Sequence, residues 1–286
     1  MAEGRVLSIS SISLPGFLGR RYYDLEATLF VMGMFSEQRI VDGFELQLLG
    51  EWNAEYPPIS VDSKFDRKME WEISEKYTRE QIARSIKRRG LAVLSVHANR
   101  DVGVCLCSPS EELVHRGQQH MENALHLAEM VGAGVCVFHL WDPWIEDIDF
   151  GRLYGTFMEV ARKHPGVRAA VENIPTHQRR LSPYQLLQEY EWVTVDTKWA
   201  TLYDELEAFR RLKERIVDVH LRGTLRRGSW RFEGSSNSFD AVLETVMRGW
   251  NYEGLLTVEP EEELGGLQWK ELVHGFSLLK RTTEIL

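Results

Sequence analysis

The chain is poor in several features that would assign a protein class at once. It has only three cysteines, Cys105, Cys107 and Cys136, in 286 residues. That is too few, and too clustered, for the disulfide framework of a secreted domain. Cys105 and Cys107 stand two apart, so they do not form the C-x-x-C of a redox or zinc site. All three are expected to be free thiols in a reducing cytoplasm. No apolar run approaches the ~20 residues of a membrane span, and Met1-Ala2-Glu3-Gly4-Arg5 lacks the apolar stretch of a secretory leader. Basic residues are in the minority: 34 Lys plus Arg face 43 Asp plus Glu, a formal charge of -9. A duplex-binding protein needs a basic surface to neutralise phosphate, so nucleic acid is an unexpected partner. An acidic chain does not disfavour a divalent cation. A Gly-rich dinucleotide fingerprint is also missing, since Ser11-Ile12-Ser13-Leu14-Pro15-Gly16 is not G-x-G-x-x-G.

What is present is alternation. Short apolar or β-branched runs occur at Arg5–Ser10, Ile40–Leu48, Leu91–His97, Gly134–His139, Arg168–Asn173, Trp192–Asp196, Ile216–Leu221 and Gly254–Glu259. Their continuous hydrophobicity is that of buried parallel strands. Amphipathic stretches lie between them. Thr78 with Gln81 predicts a capping box closed by Gly90, and Ser110 opens a long helix closed by Gly132. Ser182-Pro183 and Ser238 predict two more starts, and Leu206, Phe209 and Leu212 fit a helix before the seventh strand. The last helix is expected near Leu267 to Leu279. Eight strand–helix units predict a closed (β/α)₈ TIM barrel of α/β class, the open doubly wound sheet being the alternative. Residues 1–286 are read as one such domain. The irregular stretch from Glu51 to Tyr77, with a charged run at Lys64–Glu70, is expected over the barrel mouth as a lid or rim with room for a short helix.

Catalytic side chains of such barrels sit at the carboxyl ends of the strands. Those ends offer Glu45 and Gln47, His97, His139, Glu172-Asn173, Asp196, His220 and Glu259. Charges converging on a half-buried point need compensation. Glu172, Asp196, His220 and Glu259 form a mixed O/N set suited to Mn²⁺, Mg²⁺, Co²⁺ or Zn²⁺. Taken singly, Glu172 also fits pairing with a buried arginine, and Asp196 fits capping the next helix. His97 and His139 fit either a hydroxyl contact or a satisfied core position. Lys198 fits a cation for a developing oxyanion or a solvated rim residue. His115, His120, His126, His164, His177 and His274 are expected at the surface. Trp52, Trp141, Trp144, Trp199 and Trp230 follow strand ends, which suits either an aromatic pocket wall or ordinary loop packing.

Four motifs carry a family resemblance: Val171-Glu172-Asn173-Ile174-Pro175, Val195-Asp196-Thr197, Val219-His220-Leu221-Arg222 and Val258-Glu259-Pro260. With Ser95-Val96-His97-Ala98 and the stretch from Ala124 to His139, they resemble the xylose isomerase-like barrels over nearly the whole chain. That superfamily holds sugar phosphate isomerases and epimerases, dehydratases and an abasic-site endonuclease branch. The resemblance implies one divalent ion held by Glu172, Asp196, His220 and Glu259. It implies Glu172 and Glu259 as the acid/base pair, and Arg226 as a substrate contact. His97, His139, Lys198 and Trp199 are the other expected substrate-binding residues. The implied activity is isomerisation or epimerisation of a sugar or related keto compound through an enediolate. A lyase or dehydratase, a catalytically silent ligand-binding barrel and an abasic-site endonuclease are the alternatives. The expected partner is a small carbohydrate-like molecule, not nucleic acid or a membrane, and a homo-oligomer is compatible with the sequence.

The departures are specific. Trp199 stands where the family usually has a histidine, and Gly223 replaces an acid three residues after His220. The Trp230–Gly234 segment lacks the endonuclease branch's histidine. A three-zinc site is therefore short of ligands.

Overall fold

A computed structural model describes residues 5–59, 67–177, 181–232, 237–261 and 264–286. All eight short runs are strands: β1 (Val6–Ser10), β2 (Gly43–Gln47), β3 (Val93–His97), β4 (Val135–Phe138), β5 (Arg168–Glu172), β6 (Val193–Asp196), β7 (Ile216–Arg226) and β9 (Leu255–Pro260). They pair in parallel in chain order. β7 then pairs with β9 and β9 with β1, which closes the barrel. The open-sheet alternative is thereby excluded.

Helices α1 (Leu25–Glu37), α3 (Arg79–Arg88), α5 (Glu111–Val131), α6 (Phe150–Ala161) and α10 (Trp269–Ile285) lie along the chain between or after the strands. The starts of α3 and α5 follow the sequence signals, while α1 and α6 open on the caps Asp24 and Asp149, at which no start is predicted. The Thr78–Gln81 capping box opens α3, and Ser110 Oγ accepts from Leu113 N at the start of α5. Ser182 with Gln185 opens α7 (Pro183–Leu187), and Ser238 opens α9 (Phe239–Glu244). Gly90 and Gly132 both take a left-handed φ just past a helix, where a side chain would be strained. Leu206–Arg215 winds as a tighter 3₁₀ helix. Between the sheet and the helices lie the fully buried Phe35, Phe44, Phe138, Phe209, Phe276, Trp141 and Trp250.

Three elements lack a clear sequence signal. β7 runs on past its expected end at Leu221 and folds back on β8 (Ser229–Arg231). Arg227 and Gly228 both have positive φ (51° and 77°), the two-residue I′ geometry that matches strand twist. Arginine is an unusual first residue for that turn, which hid it. Helix α4 (Asp101–Leu106) is inserted after β3. Within the Glu51–Tyr77 stretch, α2 (Arg67–Ile73) is the short helix allowed for, and residues 60–66, with Lys64, lie outside the described residues. No described helix is long and apolar enough to cross a membrane.

Helix α4 sits hard against the loop after β4. A Cβ at Gly103 would lie 2.5 Å from the Trp141 carbonyl oxygen and 2.6 Å from its carbon. Backbone cannot swing aside as a flexible side chain can. Gly103→Ala is expected to destabilise the fold by ~1–3 kcal/mol, read as a lower urea midpoint. An unchanged midpoint would contradict this packing.

Candidate functional site

The site is built by strand alternation. Successive strand side chains point to opposite faces, so Asp218, His220 and Arg222 of β7 share one face. Contacts across the barrel identify that face as the interior. Glu45 of β2 reaches His220 of β7, and Glu172 of β5 reaches His97 of β3, though neither strand pair is adjacent. Five carboxylates, Glu45, Glu172, Asp196, Asp218 and Glu259, are buried here with His97 and His220.

Glu172 Oε2 is the hub. His139 Nε2 lies 2.9 Å from it, His97 Nε2 3.1 Å and His220 Nδ1 3.7 Å. His220 Nδ1 is also 3.5 Å from Glu259 Oε2. On its other side, His220 Nε2 is 3.1 Å from Glu45 Oε2 and 3.8 Å from Asp218 Oδ2. Arg222 Nε lies 2.8 Å from Asp196 Oδ2 and 2.9 Å from Glu259 Oε2. It donates its hydrogen bond to Asp196, so Glu259 Oε2 has an ion pair without a hydrogen bond. Asp196 Oδ1 accepts from Lys198 N (2.7 Å) and Trp199 N (3.4 Å), capping α8 (Thr197–Leu202). Asn173 locks Asp196 in place, accepting from its N–H at 2.6 Å and donating to its carbonyl at 3.1 Å.

Of the expected ligands, the structure gathers Glu172, Glu259 and His220 around His220 Nδ1, and turns Asp196 toward Arg222 and a helix start. Both alternatives weighed for the acids, an arginine pair and a helix cap, are found together at Asp196. Among the described residues, the trios whose ligand atoms lie within 4.8 Å of one another are His97–His139–Glu172 and Glu45–Asp218–His220. His97 and His139 are in the site. Lys198 Nζ pairs with Glu261 Oε1 at 2.6 Å on the rim, with the half-buried Trp199 beside it. Arg226 is exposed in the β7–β8 hairpin, four residues beyond Arg222, whose guanidinium is the one that meets the site's carboxylates. Glu233 and Gly234 lie outside the described residues.

The tryptophans divide. Trp52 and Trp141 are buried and donate to the Tyr23 and Pro175 carbonyls, and Trp230 stacks on Phe239, all ordinary packing. Trp144 is 77% exposed and stacks on His177. His120 and His164, expected at the surface, are buried instead. His120 packs edge-on against Tyr56, and burial pushes it down to about 4; His164 pairs with Glu129 at 2.9 Å. His120 lies on the buried side of α5, where a lone histidine is indistinguishable from a surface one by spacing, and His164 lies in the turn after α6. The three cysteines are free, as expected.

Asp218 and Glu45 are not among the expected site residues, and Arg222, which with Arg226, Arg227 and Arg231 suits clamping a substrate phosphate or carboxylate, instead meets the protein's own carboxylates. The signal for Asp218 and Arg222 is the period of two that puts them on the same face of β7 as His220.

Electrostatics fix the protonation of the metal-free protein. Burial would lower His97, but Glu172, Glu45 and Glu259 outweigh it and lift the imidazole to about 9. His97 Nδ1 also faces the Ala98 carbonyl at 3.0 Å and Nε2 faces a carboxylate, so both nitrogens must donate. His220 likewise moves well up against burial, drawn by Glu45, Glu259 and Glu172. Burial would raise Glu172, yet His139 and His220 hold it well below the usual carboxylate range. Burial raises Asp218 to about 8, and raises Asp196 despite Arg222.

The matching family model is that of the xylose isomerase-like TIM barrel, over residues 41–281. A closed parallel barrel with acids and imidazoles at its strand ends is the class that fold and site define. The chain belongs to the xylose isomerase-like TIM barrel family. No curated protein matches it significantly. Among solved structures it is similar to an L-ribulose 3-epimerase (TM-score 0.63, 16% identity, 98% of this chain and 95% of that one). It is also similar to a D-allulose 3-epimerase from Methylomonas sp. in complex with D-allulose (TM-score 0.66, 11% identity, 98% of each chain). A 3-keto-D-glucoside 4-epimerase from E. coli is a third (TM-score 0.60, 16% identity, 97% and 99%). At these identities the likeness establishes the fold.

Two predictions follow from the charge balance. His97 rises from 6.5 to about 9 on folding, and Asp218 from 3.8 to about 8. Raised groups stabilise fully below their unfolded values and lose that contribution as pH climbs through the folded ones. Glu45 and Glu172 move down, so they are ionised in both states across this range. The chelated protein's urea midpoint should therefore fall from pH 6.5 to 9; a flat or rising profile would contradict the assignment. Second, Arg222→Met leaves Asp196 and Glu259 buried without their cation. Breaking a buried pair costs ~3–5 kcal/mol, and the lower end applies because the Arg222 side chain is 27% exposed. The melting temperature should drop, and Mn²⁺ should recover part of the loss; no drop would contradict the pairing.

Proposed function

We propose that the chain is a divalent-metal-dependent isomerase or epimerase of a small polyhydroxylated carbonyl compound, acting as one unit over residues 1–286. The observation that carries this is a set of buried atoms without hydrogen-bond partners. Glu172 Oε1, His220 Nδ1 and Glu259 Oε2 are all of this kind, and their side chains converge at the barrel mouth. Native interiors leave few such groups unpaired, and a mixed carboxylate–imidazole set fits Mn²⁺, Mg²⁺, Co²⁺ or Zn²⁺. Glu172, His220 and Glu259 would hold the ion, with Asp196 joining through Oδ2. When bound, the ion would polarise the substrate's carbonyl and hydroxyl oxygens.

The chain's own residues then move the proton. Glu172, kept ionised by His139 and His220, takes a proton from the carbon next to the carbonyl, giving an enediolate. Glu259, which faces the same nitrogen of His220 as Glu172, carries the proton that is returned to that carbon, and the proton taken up by Glu172 leaves to solvent as Glu259 is reprotonated. His97 holds Glu172 in place from below. His139, with 28% of its side chain exposed, is the histidine best placed to meet a substrate hydroxyl. Lys198, Trp199 and Arg226 would form the outer substrate contacts. The epimerases among the structural neighbours support a ketose as the substrate class.

A second reading rests on Arg222. Its guanidinium already serves as a cation between Asp196 and Glu259, which suits a metal-free binding barrel. Elemental analysis separates the two. The first reading expects about one divalent ion per chain, lost in Glu172→Ala and His220→Ala. It also expects deuterium uptake beside the carbonyl of a ketose in D₂O, falling at least ~100-fold in Glu172→Ala, as for loss of a general base. Metal content unchanged in both variants, or no exchange with any ketose of a broad panel, would overturn it.

A further inference from the structure

We infer that Glu45, beneath the site, is a positioning residue that fixes the ring and tautomer of His220 for cation binding through Nδ1. This rests on the reading of His220 as a metal ligand. The geometry is two-sided. Nδ1 faces Glu172 Oε2 (3.7 Å) and Glu259 Oε2 (3.5 Å) and has no hydrogen-bond partner. Nε2 faces Glu45 Oε2 at 3.1 Å. A carboxylate can only accept, so Nε2 keeps its proton toward Glu45, and Nδ1 is the nitrogen that gives up its proton to offer a lone pair to a cation.

Glu45 is itself held. It is fully buried, accepts from Gln47 Nε2 at 3.4 Å, and lies 3.5 Å from Ser95 Oγ. Gln47 is fixed in turn, since its N–H meets Ser11 Oγ at 2.9 Å and its amide meets Ser10 Oγ at 3.3 Å. Asp218 Oδ2 lies further from Nε2, at 3.8 Å, and is engaged by Thr257 Oγ1 at 2.9 Å. It backs up the charge and does not replace the hydrogen bond. A cation in the lower trio of Glu45, Asp218 and His220 would compete with the donors from Gln47, Ser95 and Thr257, within a group closed to solvent. The upper side has three unpartnered atoms, Glu172 Oε1, His220 Nδ1 and Glu259 Oε2, against Asp218 Oδ1 alone below, and it has the opening at His139. A carboxylate behind a ligating imidazole fixes its orientation and raises its basicity, and removing such a partner typically weakens metal binding ~10–100-fold.

The test titrates Mn²⁺ into wild type, Glu45→Gln and His220→Ala, with melting curves of each metal-free protein. Glutamine keeps the shape but loses the charge, and its amide can donate to Nε2, which favours the wrong tautomer. The expected result is a ~10–100-fold weaker Mn²⁺ affinity in Glu45→Gln with little change in melting temperature. Wild-type affinity in Glu45→Gln, with binding lost in His220→Ala, would overturn the role of Glu45 and leave the metal reading standing. Unchanged binding in His220→Ala would overturn that reading itself. Should Glu45→Gln fail to fold, ¹⁵N-histidine spectra of zinc-loaded wild type decide. A metal-bound Nδ1 with a slowly exchanging Nε2–H supports the inference, and a metal-bound Nε2 overturns it.

Discussion

The interior of this barrel must carry five buried carboxylates, and most of the site's arrangement follows from how their charge is met. An unpaired buried carboxylate would neutralise itself or unfold the protein. The chain answers mainly with one strand. Alternation along β7 aims Asp218, His220 and Arg222 inward, an acid, an imidazole and a guanidinium in successive layers. His220 bridges Glu45 from β2 to Glu172 from β5 and Glu259 from β9; Arg222 bridges Asp196 from β6 to Glu259. Strands with no backbone pairing are thus tied through the axis. The same ties hold the imidazoles charged in the metal-free protein, so a divalent ion would have to displace protons from His220. Its binding would weaken as pH falls.

What was legible in the sequence was whatever a local rule could carry. The eight strands declared themselves as apolar runs ending in a polar residue, and the helix starts at Thr78, Ser110, Ser182 and Ser238 declared themselves by capping chemistry. Glu172 and Glu259 were reachable because they sit at strand ends, and His220 because the apolar run of its strand stops beside it. The hidden parts depend on long-range geometry. That Glu45 meets His220 requires knowing that β2 and β7 face each other across a closed barrel. That Asp196 turns to Arg222 depends on Arg222 sharing the inward face of β7, which a search of strand termini does not reveal. His120, on α5, and His164, in the turn after α6, were hidden for the same reason: burial of a single polar residue is decided by what packs over it.

The departures from the family pattern have a structural cause at one position. Residue 223 lies on the opposite face of β7 from His220 and Arg222. β7 continues there into its hairpin with β8, and a Cβ on Gly223 would lie 3.0 Å from the Arg231 carbonyl oxygen and 3.0 Å from the Phe239 ring. An acid at that position would be pressed against an apolar ring and a carbonyl oxygen, so the hairpin favours glycine there. The hairpin therefore disfavours an extra acidic ligand along this strand. The same trade places Arg222, one residue earlier, as the last inward side chain at the level of Glu259. Negative charge that a further metal ion would neutralise elsewhere is here met by a guanidinium. That confines the proposed cation to the space around His220 Nδ1, between Glu172 and Glu259.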